Sequence, residues 1–229
     1  MGISTYKLIS FDMFQTLVDL GSQKENILRK IFLNRYDPDI GNKFWADADE
    51  YVYKYFHRLS NNNEPYMKTV DIFTQCYRML FPKYNLKMSP EEGALILARA
   101  HNQAEMYPET KDVIKTIQKR FRTCIISDTD NIMIEELVDK VGIKTIYTSE
   151  DYQTYKFDKN GLLFRTAIRD YKIAPEEMLH VGDGVNDVLG ASSVGSDTVW
   201  INRNHESWDQ TVKPTYEITN LNQLLEDMI

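Results

Sequence analysis

A chain of 229 residues, 42% hydrophobic and 27% charged, can bury a core as one large domain or two small ones, which excludes global disorder. Its 27 basic and 34 acidic residues give a net charge of −7, leaving no basic excess to hold nucleic-acid phosphates or an anionic membrane surface. Cys76 and Cys124 are far apart, in no metal-ligand spacing, and too few for a disulfide framework.

In chain order, the first predicted element is a short β-prone run, Lys7-Leu8-Ile9-Ser10-Phe11. The N-terminus before it is polar, and Asp12 interrupts the apolar run, so no signal peptide is expected. From about 18 to 107 no strand is predicted. Four helix-length segments occupy that stretch, near 22–35, 43–59, 66–82 and 89–105. Ser89-Pro90-Glu91-Glu92 opens the fourth, with serine at the cap, proline at the first helical position and Glu92 three residues on. Aromatic residues recur through the insertion (Phe32, Tyr36, Phe44, Trp45, Tyr51, Tyr53) and read as helix-bundle packing. His101, Asn102 and Gln103 are polar groups on its last helix that could face a ligand.

From residue 109 on, strands and helices alternate. Thr123–Ile126, Met178–Val181, Thr198–Ile201 and a weaker run at Thr145–Tyr147 read as strands. Residues 112–117, 132–141, 162–171 and 222–228 read as helices. Short apolar runs alternating with helices are the pattern of a parallel sheet buried on both faces. The insertion carries twelve basic and twelve acidic residues, so the whole negative excess falls on the remainder. The absence of an apolar stretch of about 18 residues argues against a membrane span, and a cytoplasmic protein is expected.

Four polar stations follow the apolar runs. Asp12 comes directly after the first strand, where an open α/β sheet presents side chains to its ligand crevice; alone it reads rather as a turn or helix cap. Ser127 is the first polar residue after the second strand, and is also a possible helix cap. His180-Val181-Gly182-Asp183-Gly184-Val185-Asn186-Asp187 runs a strand into a glycine turn with two carboxylates four apart. That suits a hard, oxygen-seeking cation or a capped turn. Lys156 precedes the helix at 162, and by itself reads as a surface lysine. His180, inside a strand, reads as core.

Together these stations resemble the haloacid dehalogenase-like hydrolase superfamily. Its first motif, Asp-x-Asp-x-Thr, is matched by Asp12-Met13-Phe14-Gln15-Thr16, its second by Ser127, its third by Lys156 (Lys159 is the competitor), and its fourth, Gly-Asp-x-x-x-Asp, by Gly182, Asp183 and Asp187. The resemblance implies a Rossmann-like parallel-sheet core over 1–17 and 108–229, an inserted all-helical cap over 18–107, and an active site between them. It further implies that Asp12 is a nucleophile forming a covalent aspartyl intermediate. Mg²⁺ would be bound by Asp12, the Phe14 carbonyl, Asp183 and Asp187, the last directly or from behind. Ser127 and Lys156 would hold the transferred group, with Asp128 beside them. The expected partner is a small, phosphorylated molecule, and the chain is expected as a monomer or homodimer.

One departure bears on the chemistry. Where the superfamily's phosphatases have the acid that protonates the leaving group, this chain has Phe14. General acid–base help of that kind is worth ~10²–10⁴-fold. Three readings follow: a Mg²⁺-dependent phosphoryl hydrolase with another acid, Asp128 being one candidate, or with a good leaving group; a metal-free 2-haloacid dehalogenase, whose halide needs no proton to leave; or a degenerate binding protein.

Overall fold

The computed structural model describes residues 6–62, 64–158 and 160–228. Lys159 and the first five residues of the polar N-terminus lie outside them.

The elements in chain order are β1 (Leu8–Phe11), β2 (Val18–Asp19), α1 (Lys24–Phe32), α2 (Pro38–Asn62), α3 (Thr69–Lys83), α4 (Pro90–His101), β3 (Glu105–Met106), α5 (Thr110–Ile117) and β4 (Arg122–Ser127). They continue with α6 (Asn131–Val141), β5 (Ile146–Thr148), α7 (Ser149–Tyr152), α8 (Leu162–Tyr171), β6 (Met178–Gly182), α9 (Val185–Ser193), β7 (Asp197–Ile201), β8 (Tyr216–Ile218) and α10 (Asn222–Met228).

Among the described residues, six strands form one sheet in the order β5-β4-β1-β6-β7-β8, every neighbouring pair parallel. Parallel pairing requires a crossover between strands, and the intervening helices supply it. β1 and β6 are buried at every residue, which explains why they read as continuous apolar runs rather than alternating ones. Leu8, Cys124, Ile126, Leu163, Phe164 and Met178 belong to one buried cluster. β1 lies in the middle, with Phe11 in register with Ile125 of β4 and with Val181 of β6. The chain therefore leaves the ends of three adjacent strands at Asp12, Ser127 and Asp183. This is the α/β core the sequence predicts.

Four elements were not predicted. β2 and β3 form a two-residue antiparallel pair, Val18 with Met106 and Asp19 with Glu105, in the stretch where no strand was expected. Two residues are too few to show a period-two pattern, and the pairing closes over a separation of more than eighty residues. β8 has only three residues and sits at the sheet edge. The single-turn helix α7 is set by Thr148, whose side chain accepts from the Asp151 N–H at 3.1 Å.

The chain divides into two compact units. The first holds the sheet: residues up to Asp19, Glu105–Asp128 and Leu137 onward. The second is helical: Leu20–Ala104 together with Thr129–Glu136. The start of α6 thus groups with the insertion helices, although the sequence reads it as a core helix. The cause is polar. Lys68, at the cap position of α3, provides no side-chain acceptor, and the Asp130 carboxylate takes that role, accepting the N–H groups of Thr69 at 2.9 Å and Val70 at 2.8 Å. Asn102 donates to the Ile132 carbonyl and accepts the Glu136 N–H at 3.0 Å.

Within the helical unit Phe32 and Phe44 of the aromatic run pack as expected, whereas Tyr51 and Tyr53 are exposed. Phe44 meets Phe32 edge-on at 5.4 Å and Tyr84 at 5.2 Å, and Tyr77 stacks on Phe81 at 4.8 Å. The Ser89 hydroxyl caps α4 by accepting the Glu92 N–H at 3.1 Å, with Pro90 at the first helical position. His101 and Asn102 are buried rather than presented to a ligand; the His101 Nδ1–H donates to the Leu97 carbonyl at 2.8 Å. Among the described residues, no helix is long and apolar enough to cross a membrane.

Candidate active site

Every side chain of this site belongs to the sheet unit. Asp12 leaves β1 with its N–H donated to the Val181 carbonyl of β6 at 2.9 Å, which extends the strand pairing by one residue and fixes the backbone. The following turn is tight. Leu17 and Val18 both donate to the Met13 carbonyl, at 2.9 and 3.1 Å, and Gln15 adopts a left-handed conformation, φ 57°. A non-glycine residue there costs on the order of 1 kcal/mol or more, so surrounding contacts must hold it.

Lys156 is fixed at its backbone. Its N–H donates to Asp128 Oδ1 at 2.7 Å. Its carbonyl lies against α9 at Gly190, where a Cβ would come within 2.6 Å of it. Only glycine lets the helix approach so closely. From that anchor the ammonium reaches inward, donating to Asp12 Oδ1 at 2.8 Å and to Asp187 Oδ1 at 2.5 Å. Lys156, Asp12 and Asp187 are all buried.

The Gly182-to-Asp187 turn folds its second carboxylate back over its own start. A Cβ on Gly182 would sit 2.2 Å from the Asp187 carboxyl carbon, so that position needs glycine. Asp187 Oδ2 accepts the Gly184 N–H at 2.9 Å. Asp183 stands on the open side of the turn; its Oδ1 accepts from the Thr16 hydroxyl at 3.3 Å and its main-chain carbonyl from the Trp200 indole at 2.8 Å. One carboxylate oxygen from each of Asp12, Asp183 and Asp187 falls within 4.8 Å of the others.

The electrostatics follow from burial and crowding. Burial raises the Asp12 carboxyl above its ordinary range; Asp187 pushes the same way, while Lys156 and the Ser127 hydroxyl pull it back. Asp183 is driven well above the carboxylate range by burial and then by the charges of Asp12 and Asp187. Asp187 goes the other way, down to about 2; burial opposes this, but Lys156 and His180 outweigh it. Lys156 keeps its proton strongly, because its three neighbouring aspartates overcome the penalty of burial. Asp128, half-buried, is pushed up to about 6, mainly by burial.

With all three carboxylates ionised, as a bound cation would require, one ammonium would leave two negative charges uncompensated; without a cation, burial and crowding keep Asp183 protonated. A divalent cation with oxygen ligands matches that deficit in charge and in donor chemistry. Asp12 and Asp183 have the freer oxygens. Asp187 already accepts from Lys156, His180 and Gly184.

The structure thus brings Asp12, Ser127, Asp128, Lys156, Asp183 and Asp187 together. Phe14, half-buried, forms an isolated bridge with Val18 in the turn after Asp12. Two contributors were not read from the sequence. His180 is fully buried, as a core residue would be, yet its Nε2 lies 2.9 Å from Asp187 Oδ1 and its Nδ1 2.9 Å from the Ser10 hydroxyl. An imidazole in an apolar strand, in register with a serine on the next, was the available signal. Arg203 grips the turn after Asp12 from outside, and as the first basic residue beyond β7 it carries no sequence signature of that role.

Known proteins resemble this chain in sequence and in fold. A family model described as haloacid dehalogenase-like hydrolase matches residues 6–195. An (S)-2-haloacid dehalogenase of Pseudomonas fluorescens is 22% identical over 220 residues, covering 93% of this chain and 92% of that protein. A phosphoglycolate phosphatase of Vibrio vulnificus is 23% identical over 133 residues, 55% of this chain and only 58% of that relative's length. Among solved structures, the HAD-hydrolase YfnB from Bacillus subtilis, bound to magnesium, superposes with a TM-score of 0.83 at 19% identity, covering 97% of this chain and 98% of that one. The L-2-haloacid dehalogenase from Xanthobacter autotrophicus superposes with a TM-score of 0.77 at 15% identity, covering 98% of this chain and all of that one.

Proposed function

The chain belongs to the haloacid dehalogenase-like hydrolases, and from that premise we propose that it hydrolyses a small phosphorylated molecule with magnesium as cofactor and Asp12 as nucleophile. The carrying observation is the Asp12, Asp183 and Asp187 cluster with a single balancing lysine. A metal-free mechanism would leave that deficit in place and keep one of the acids protonated. Magnesium, held by the Asp12 and Asp183 carboxylates with the Phe14 carbonyl, would offset the repulsion between an anionic nucleophile and an anionic phosphoryl group.

This chain's own groups supply the rest. The Asp12 carboxylate attacks, giving an aspartyl intermediate that water then opens. Asp187 holds the Lys156 ammonium, and Lys156 with the Ser127 hydroxyl takes the transferred oxygens. Phe14 has no proton to give. Asp128, next to Ser127 and titrating at about 6, is the carboxyl suited to protonate the leaving group near neutral pH. The relative that matches over 55% of this chain is a phosphoglycolate phosphatase, and the solved HAD-hydrolase YfnB was bound to magnesium.

The second reading is hydrolysis of a 2-haloacid without metal. Phe14 favours it, since halide leaves unprotonated, and so does the full-length likeness to an (S)-2-haloacid dehalogenase. Two assays separate them. Turnover of p-nitrophenyl phosphate or acetyl phosphate should require Mg²⁺ and stop with EDTA. Halide release from a 2-chloro acid, unchanged by EDTA and without phosphatase activity, would replace the first reading by the second.

A further inference from the structure

The turn that follows Asp12 contains a residue its backbone does not suit. Gln15 sits at φ 57°, a region that disfavours L side chains. Inside the turn, the Gln15 N–H donates to the Val18 carbonyl at 2.7 Å. Further restraint comes from outside, at the carbonyls. The Arg203 guanidinium donates from Nε to the Gln15 carbonyl at 3.3 Å and from Nη2 to the Thr16 carbonyl at 2.9 Å. The next carbonyl, of Leu17, accepts the Thr110 hydroxyl at 2.8 Å and the Tyr107 N–H at 3.2 Å.

Arg203 is itself held on two further sides. Its Nη1 donates to Glu109 Oε1 at 2.8 Å, and its guanidinium carbon lies 3.5 Å from the Tyr107 ring centroid. The pair is mostly buried, 17% and 13% exposed. Three residues earlier, the Trp200 indole holds the Asp183 carbonyl, and the Thr16 hydroxyl reaches the Asp183 carboxylate. Trp200 near the end of β7 and Arg203 just beyond it therefore hold the Asp183 turn and the Asp12 turn respectively.

We propose that Arg203 is a positioning residue: by clamping the Gln15 and Thr16 carbonyls it fixes the nucleophile turn relative to Asp183, without touching substrate. The proposal rests on Asp12 as the nucleophile. A planar cation with several fixed donor directions is required, because one carboxylate and two carbonyls must be met at once; a lysine offers a single point of charge.

The experiment compares wild type with Arg203→Ala, Arg203→Lys and Arg203→Ala combined with Gln15→Gly. Activity is followed on p-nitrophenyl phosphate with Mg²⁺, and hydrogen–deuterium exchange is measured on the same proteins. Groups that orient catalytic ligands from behind typically cost about 10–100-fold when lost, and that fall is expected in kcat for Arg203→Ala, with KM changed by no more than about threefold. Arg203→Lys should recover less than half of the loss. Gln15→Gly should rescue Arg203→Ala, because glycine keeps the left-handed turn without a clamp. Exchange in the alanine variant should rise over 13–18 and stay unchanged in β4. Exchange raised throughout the sheet unit, or a kcat loss that glycine does not restore, would overturn the proposal. If wild type turns over no phosphate ester, the functional reading fails by itself, and exchange confined to 13–18 still decides the role of Arg203.

Discussion

Asp12 shares its pocket with two other carboxylates and one lysine, so the charge that the proposed nucleophile needs is also a strain on the fold. Asp12→Asn should reduce hydrolysis by ~10⁴-fold or more, since an amide is a poor nucleophile. The same change should leave unfolding free energy in urea unaltered or raised by about 1 kcal/mol, because it removes one of several crowded like charges. Asp128→Asn should separate substrates by leaving group. An alkyl phosphate, which needs a proton to leave, should lose about 10²-fold in kcat, and p-nitrophenyl phosphate less than about tenfold. Equal losses on both would remove Asp128 as the acid. Asp12 and Ser127 were legible in the sequence because each is the first polar group after a buried strand, Asp183 and Asp187 because they flank a glycine turn, and Lys156 only through the family resemblance. His180 and Arg203 were not, because their partners Ser10, Gln15 and Thr16 lie 170 or more residues away, a proximity that only strand pairing creates.

Helix α3 shows why elements are easier to read than their supports. Its apolar spacing announced a helix near 66–82, and the structure has Thr69–Lys83. Its cap was invisible, because the acceptor is Asp130, some sixty residues downstream, rather than a residue at the N-terminus itself. By contrast, Ser89 caps α4 locally and was read directly. Asp130→Ala should destabilise the helical unit by about 1–2 kcal/mol, the usual cost of a lost N-cap, whereas Asp130→Asn should keep most of the stability. Thermal unfolding of both variants checks this, and equal losses would mean that the charge rather than the cap is what matters. The short strands β2, β3 and β8 stayed hidden because two or three residues show no periodicity.

For the whole molecule, the parallel core and its apolar strands were readable because burial on both faces leaves continuous apolar runs. The grouping of residues 129–136 with the insertion was not, because it depends on side-chain hydrogen bonds that composition does not record. His101 is a source of acid sensitivity that the structure predicts: it is buried, stacked on Phe73 and pushed down to about 4 by burial. The unfolded chain takes up a proton below about pH 6.5, while the folded one does not until about 4. Stability should therefore fall as pH drops through that window, by about 2 kcal/mol between pH 7.5 and 5 from this one imidazole. His101→Gln should flatten that part of the slope in urea titrations at the two pH values; an unchanged slope would place the sensitivity elsewhere. The hydrogen bonds of Asp130 and Asn102 carry a last consequence for engineering. The insertion is not a transplantable cassette: a chimera exchanging only 20–104 for a foreign segment would strand the Asp130 carboxylate without the amides it accepts, so grafts must carry 129–136 with them.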